Sequence, residues 1–300
     1  NWTGVSGEYN TSNVQNNVTP LLKPTDNSYS GIKWILMEAT AYNNCCTNVT
    51  NAKSTRMQMY PYVVAARRSG LSCDEITTYE NPSATAAQIS SAMTSLKTKL
   101  DNLALTSAST TNPIDLSYYL DGADCSSDSF SGWTKSGGWS YQRDDMHRNG
   151  ESTLNGGFYE RWCAYSARFN EALSLTQTIT NLPAGKYKLA ADVVSSHQYY
   201  NTEEITGVNL YATVNGTTYS TACSTPGDNL SDIRTPYFYV EDGQSVTIGI
   251  EVASSTNATW LAIDNFRLYH YGPSNSYTLV NGIMTLEGIW DTSQLAELSV

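Results

Sequence analysis

The chain has 300 residues, enough for about two domains at roughly 150 residues each. Charged residues make up 15%, and tyrosines (21) outnumber lysine and arginine together (17). The net charge of −11 argues against a nucleic-acid partner, which needs clustered lysine and arginine, and no run of 18 apolar residues is present to span a membrane.

Residues 1–30 are polar, with Pro20 and Pro24 as punctuation, and read as an extended segment. The chain starts at Asn1 rather than Met, as expected of a processed chain or a fragment. From Gly31 the composition changes. Ile32, Ile35, Leu36 and Ala39 recur at helical spacing, and Met57 to Arg68 is a second helical candidate interrupted by Pro61. Thr85 and Gln88 form a capping box ahead of an apolar stripe of Ile89, Ala92, Met93, Leu96, Leu100 and Leu103. These segments predict a small helical bundle over 31–105 that acts as a spacer. A Ser/Thr linker follows.

From about residue 113 the period changes to two. Leu173, Leu175, Gln177 and Ile179 define one face, and Ser174, Thr176, Thr178 and Thr180 the other. Tyr187, Leu189, Ala191 and Val193 repeat the pattern. Turn residues divide the runs at Leu182-Pro183-Ala184-Gly185, Asn215-Gly216 and Asp242-Gly243. Short alternating strands at this spacing predict an antiparallel β-sandwich or jelly roll over 113–271, hence an α+β chain of several domains. Residues 274–300 read as a C-terminal β-hairpin around Asn281-Gly282, whose apolar residues call for a docking surface. That need suggests a homo-oligomer or filament neighbour.

The six cysteines are Cys45, Cys46, Cys73, Cys125, Cys163 and Cys223. Without CxxC pairs they read as disulfide candidates rather than zinc ligands. Three precede residue 113 and three follow it, so either one bond joins the two halves or each half keeps a free thiol. Candidate N-glycosylation sequons begin at Asn1, Asn10, Asn17, Asn48, Asn215, Asn229 and Asn257, as chance alone would also produce in so Asn- and Thr-rich a chain.

No GxSxG, HExxH, Walker loop or dinucleotide fingerprint occurs. The carboxylate pairs are sequence neighbours, whose side chains diverge rather than face each other across a cleft. The expectation is a non-enzymatic protein. The best ligand-binding candidates lie in Trp133 to Tyr165, where aromatic and polar residues interleave, and in the stretch His197 to Asn201. They are Trp139, Tyr141, Arg143, Asp145, His147, Tyr159, Tyr199 and Tyr200. Sugars offer C–H faces to aromatic rings and hydroxyls to paired donors and acceptors. Trp133, Phe158 and Trp162 are assigned to packing, and Tyr141, His147 and Tyr159 are expected to be exposed. The three-residue gap from Ile263 to Phe266 breaks the alternation and predicts a bulge.

Two segments carry a family resemblance. Gln177 to Tyr187 (QTITNLPAGKY) and Trp260 to Leu268 (WLAIDNFRL) resemble the galactose-binding-like jelly-roll modules of gut-bacterial surface proteins. The stretch from Ala86 to Leu103 is similar to the short helical modules "found in various architectures" that precede them. The resemblance implies glycan binding or adhesion at a cell surface or in the extracellular space, with a glycan or surface protein as partner. It also implies a structural calcium ion near Asp264. Two alternatives stay open: a structural subunit of an extracellular filament, and an accessory module of a larger glycoside hydrolase.

Overall fold

In the computed structural model the backbone is described over 29–143, 146–148, 151–154, 157–164, 167–198, 200, 202–273, 275–280 and 283–288. Within these ranges, side chains are described for 47, 48, 50–143 and 157–273. The chain divides into two compact units, residues 1–60 with 74–93 and residues 61–73 with 94–300.

Among the described residues three helices come first: α1 (Tyr29–Arg68), α2 (Asp74–Glu80) and α3 (Ala86–Ser107). The two candidates on either side of residue 50 form one 40-residue helix that continues through Pro61 despite its missing N–H. The predicted capping box is in place. The Thr85 N–H donates to Gln88 Oε1 at 2.9 Å, and the Gln88 N–H donates to Thr85 Oγ1 at 3.3 Å. In the first unit Ala52, Met59, Ala84, Ile89 and Ala92 are buried, and the Arg56 guanidinium donates to the Tyr79 carbonyl at 3.1 Å.

The second unit includes the last turns of α1 and most of α3, so the compact division does not fall at the Ser/Thr linker. Val63, Leu96, Leu100 and Ala104 are fully buried there. Tyr62 stacks on Tyr118 at 4.7 Å, and Arg68 pairs with the buried Asp115 at 3.0 Å. The Tyr118 hydroxyl donates to Asp101 at 2.6 Å, while Lys97 reaches both Asp101 and the Tyr119 hydroxyl at 2.7 Å. Burial and the Asp101 charge push the Tyr118 phenol well above its ordinary range, so it stays a donor.

The strands are β1 (Ile114–Asp115), β2 (Thr134–Ser136), β3 (Ser140–Gln142), β4 (Met146–Arg148), β5 (Glu151–Leu154), β6 (Phe158–Trp162), β7 (Leu173–Ile179), β8 (Gly185–Ser196), β9 (Val208–Val214), β10 (Thr217–Ala222), β11 (Ser231–Arg234), β12 (Phe238–Val240), β13 (Val246–Val252), β14 (Trp260–His270), β15 (Asn275–Val280) and β16 (Ile283–Gly288). They form the expected antiparallel sandwich. One sheet has seven strands in the order β11-β8-β14-β6-β3, with β1 on β14 and β12 on β8; the other runs β10-β9-β13-β7-β2. Among the described residues two further pairs form, the β4-β5 and β15-β16 hairpins. The predicted C-terminal hairpin is thus present, with Val280 opposite Ile283; its side chains lie outside those described.

The core sits between the two sheets. Leu175, Leu210, Ile248 and Ile250 of one sheet and Leu189, Val193, Leu261 and Ile263 of the other are all fully buried. Strand β7 alternates as predicted, its odd residues buried and its even residues half-buried or exposed. The predicted bulge in β14 also forms. Pairing with β8 runs from Trp260 to Asp264 and resumes, shifted, at Arg267 opposite Ala190. Asn265 takes a left-handed conformation (φ 50°), which brings both Ile263 and Phe266 inward.

Candidate functional site on the outer face of the seven-stranded sheet

Register decides which side of β6 meets solvent. Tyr159 pairs with Ile263, which pairs with Val193, and this row points into the core. Phe158, Glu160 and Trp162 project from the opposite face. There Glu160 lies beside Ala262 and Val194, and Trp162 beside Trp260 and Ser196. Phe158, Val194, Trp260 and Ala262 form a buried apolar cluster on this outer face, with Leu230 packed against it.

Polar groups tie the cluster across neighbouring strands. Glu160 is their hub. It accepts the Trp260 indole N–H at 3.2 Å through Oε2, and the Gln142 amide on β3 through Oε1. Trp162, at the edge of the cluster, is 48% exposed, and its indole N–H donates to Gln198 Oε1 at 2.5 Å. Gln198 is fixed in turn by its own N–H, which donates to Thr259 Oγ1 at 2.9 Å. Two residues on, Tyr200 is 56% exposed, and its ring lies 5.0 Å from that of buried His197. The Tyr200 N–H donates to His197 Nδ1 at 3.1 Å. Two exposed aromatic rings are therefore tied to neighbouring residues, Trp162 to Gln198 and Tyr200 to His197, and Trp162 projects from the same face of β6 as Glu160.

The sequence-predicted residues scatter. Tyr200 belongs to this platform, and Tyr199 lies outside the described residues. Trp139 is 5% exposed, with its indole N–H bonded to the Ser174 carbonyl at 3.0 Å, so it packs rather than presents a ring. Tyr141 is half-buried and donates to the Ser126 carbonyl at 2.9 Å; Arg143 is exposed and pairs with Asp128 at 3.2 Å. Asp145 lies outside the described residues. His147 falls on β4, its side chain outside those described.

Two assignments on β6 are reversed. Tyr159, expected to be exposed, is fully buried, stacked on Phe130 at 4.1 Å, with no hydrogen-bond partner for its hydroxyl among the described residues. Trp162, assigned to packing, is the exposed ring. Both sit in an aromatic-rich strand with polar residues between them, so composition left the phase open. Only pairing with β14 chose it.

Asp264 is fully buried. Its Oδ1 accepts the Asn265 N–H at 2.6 Å, and its Oδ2 accepts the Asn265 side-chain amide at 3.1 Å. Burial, and then the charges of Asp192 and Asp124, push its carboxyl up to about 8. It is placed to hold the bulge. A calcium ion there needs several further oxygens, and among the described residues no group of three or more His, Cys, Asp or Glu is placed to hold a metal. Beside it Arg267 bridges Asp192 (2.7 Å) and Asp232 (2.8 Å) across three strands.

The disulfide expectation is not met at Cys125, Cys163 or Cys223, which carry free thiols. Cys125 and Cys223 are sealed in the interior, where burial raises the Cys125 thiol well above its ordinary value and pushes Cys223 up to about 12. Cys163 is half-buried, within 3.4 Å of the Ala167 and Thr259 carbonyls. Cys73 is half-buried, and the side chains of Cys45 and Cys46 lie outside those described. Among the sequons, Asn48, Asn215 and Asn229 are exposed, and Asn1, Asn10 and Asn17 lie outside the described residues. Asn257 is buried, its amide nitrogen donating to Glu203 and to the Glu204 carbonyl, both at 2.9 Å, which leaves that nitrogen no room for a glycan.

No protein-family model matches the chain, and no curated protein matches it. Solved structures resemble about half of it. TmCBM61, solved in complex with beta-1,4-galactotriose, is 22% identical over 51% of this chain and 97% of its own, with a TM-score of 0.36. The CBM22-1 xylan-binding domain of Paenibacillus barcinonensis Xyn10C is 11% identical over 50% and 92%, with a TM-score of 0.34. The Stig cyclase Fisc from Fischerella sp. TAU is 12% identical over 52% and 97%, with a TM-score of 0.39. Sugar binders and a cyclase stand side by side in this set, so the ligand has to come from the residues themselves.

Proposed function

We propose that the sandwich is a glycan-binding module of a non-enzymatic extracellular or cell-surface protein. The observation that carries this reading is the pair of exposed rings, Trp162 and Tyr200, held by Gln198 and His197 beside Glu160 and Gln142. An exposed tryptophan whose N–H is already bonded offers a fixed π-face, which suits the C–H face of a pyranose. The neighbouring carboxylate and amides suit its hydroxyls. Glu160 is committed to anchoring Trp260 and Gln142 rather than to moving a proton, which favours binding over catalysis. A surface low in charge and rich in Asn, Ser and Thr agrees with an extracellular setting. The homo-oligomer or filament role of the hairpin and the structural calcium remain separate proposals.

The test is affinity electrophoresis of the full chain through gels containing soluble galactan, xylan or glucan. Retardation by at least one polysaccharide, lost in Trp162→Ala and in Tyr200→Ala, supports the platform. Retardation that survives both substitutions places the binding surface elsewhere.

A further inference from the structure

The other sheet carries a different surface. On the outer face of β10-β9-β13-β7-β2, Thr218, Thr213, Thr247 and Thr178 stand in one register row across four strands. The hydroxyl pairs Thr178–Thr247 (3.1 Å) and Thr213–Thr218 (2.9 Å) are bonded. At the β7-β2 edge this face opens into a recess of about 370 Å³. Thr134, Thr176, Thr178, Thr180, Asp121 and Tyr119 line it. We propose that this recess is a second binding site, separate from the aromatic platform, which takes a single neutral sugar unit.

Three observations carry the proposal. The first is a floor fixed from behind. The buried Gln177 amide donates to the carbonyls of Asp121 (2.9 Å) and Gly132 (2.7 Å), and its oxygen accepts the Asp121 N–H at 3.1 Å. Gly132 has φ +82°, and a Cβ there would lie 2.3 Å from that of Asp121, so only glycine lets the two segments approach this closely. The segment that bears Asp121 is thus set before any ligand arrives, which lowers the entropy lost on binding.

The second is hydrogen-bonding capacity that the protein leaves open. Neither the Asp121 carboxylate nor the Thr134 hydroxyl has a hydrogen-bond or ion-pair partner among the described residues. Tyr119, in contrast, is held by Lys97 and Asp101 and forms a fixed wall. A carboxylate accepts strongly from a sugar hydroxyl, and threonine hydroxyls both donate and accept.

The third is charge and size. The lining holds one carboxylate and no cation, which disfavours uronic acids, sulfates and phosphates. One carboxylate is also too few for a calcium site. The volume lies near the lower end of the ~300–1,000 Å³ range of small-molecule sites, which suits a monosaccharide unit better than an extended chain.

The experiment uses the full chain carrying Trp162→Ala and Tyr200→Ala, so that the platform is silent and its failure is scored separately. Saturation-transfer NMR is recorded with D-galactose, D-glucose, D-mannose and D-xylose, and with D-glucuronate as the anionic control, each at about 20 mM, since single sugars bind at millimolar strength. Transfer to at least one neutral sugar and none to glucuronate is expected. Adding Asp121→Ala or Thr134→Val should weaken it about tenfold, the loss of one or two net hydrogen bonds. Both positions are exposed, so the melting temperature should hold, and Thr180→Val is a third variant if either of them misfolds. No transfer from any neutral sugar overturns the proposal. So does transfer that survives the recess variants, or transfer from glucuronate as strong as from the neutral sugars.

Discussion

The outer faces of the two sheets of one sandwich are built from different residues. On the five-stranded sheet the pattern is the simple one: apolar residues inward, and outward mostly threonine and serine with Asn209, Tyr211 and Glu251. On the seven-stranded sheet Phe158, Val194, Trp260 and Ala262 project away from the inter-sheet core and are nonetheless buried. A strand buried on both faces loses the polar–apolar alternation that makes a half-buried strand legible. The two proposed binding surfaces follow the same division, aromatic on one side and hydroxyl-lined on the other.

The sharpest way to break this comparison is to truncate outward-facing residues on both sheets. Phe158→Ala should destabilise the fold by about 3–5 kcal/mol, as for a core phenylalanine. Thr178→Ala should stay within about 1 kcal/mol, the worth of one cross-strand pair. Chemical denaturation of the two variants checks both values. Equal small effects would mean that the Phe158 cluster is an open surface and not a second core.

Trp162→Ala removes a ring that is half exposed, so it should separate binding from folding. Glycan affinity should fall about tenfold or more while the unfolding midpoint moves little. A midpoint loss as large as that of Phe158→Ala would return Trp162 to a packing role.

Two buried groups of β14, Asp264 in its middle and His270 at its end, should respond to pH with opposite signs. Asp264 has a folded value near 8 against about 3.9 for a free aspartate, so its stabilising contribution is complete below pH ~4 and is lost as pH rises through 8. His270, whose ring nitrogens face the Ala184 carbonyl and the Gly272 N–H, is held below 6.5 by burial. Its contribution is present above pH 6.5 and is lost as pH falls through the lower folded value. Asp264→Asn should therefore flatten the fall in stability between pH ~4 and ~8, and His270→Gln the fall below pH 6.5. An unchanged slope in either variant would remove that group from the balance.

The smallest effect expected is a ranking of thiols. Native alkylation followed by peptide mass mapping should label Cys163 at least about tenfold faster than Cys125 or Cys223, because burial both hides the latter two and suppresses their thiolates. Equal rates would mean that the interior opens readily near those residues.

What the sequence by itself determined is the local and periodic part of this protein. The capping box at Thr85, the alternation of β7, the Asn215-Gly216 turn and the bulge after Ile263 all arise from interactions within a few residues, so composition and spacing carry them. Tertiary structure decided the rest. Trp162 and Tyr159 lie three apart in one aromatic strand, and which of them meets solvent depends on pairing with β14, a partner about a hundred residues away. The same holds for the buried outer cluster, which reads as a core pattern with no sign of which side it faces. It holds also for the recess, where Asp121, Gly132 and Gln177 come together from three separate segments. Register is a long-range property. A slip of one residue exchanges the faces of a strand without changing its sequence, and sites built across strands become visible only once the partners are in place.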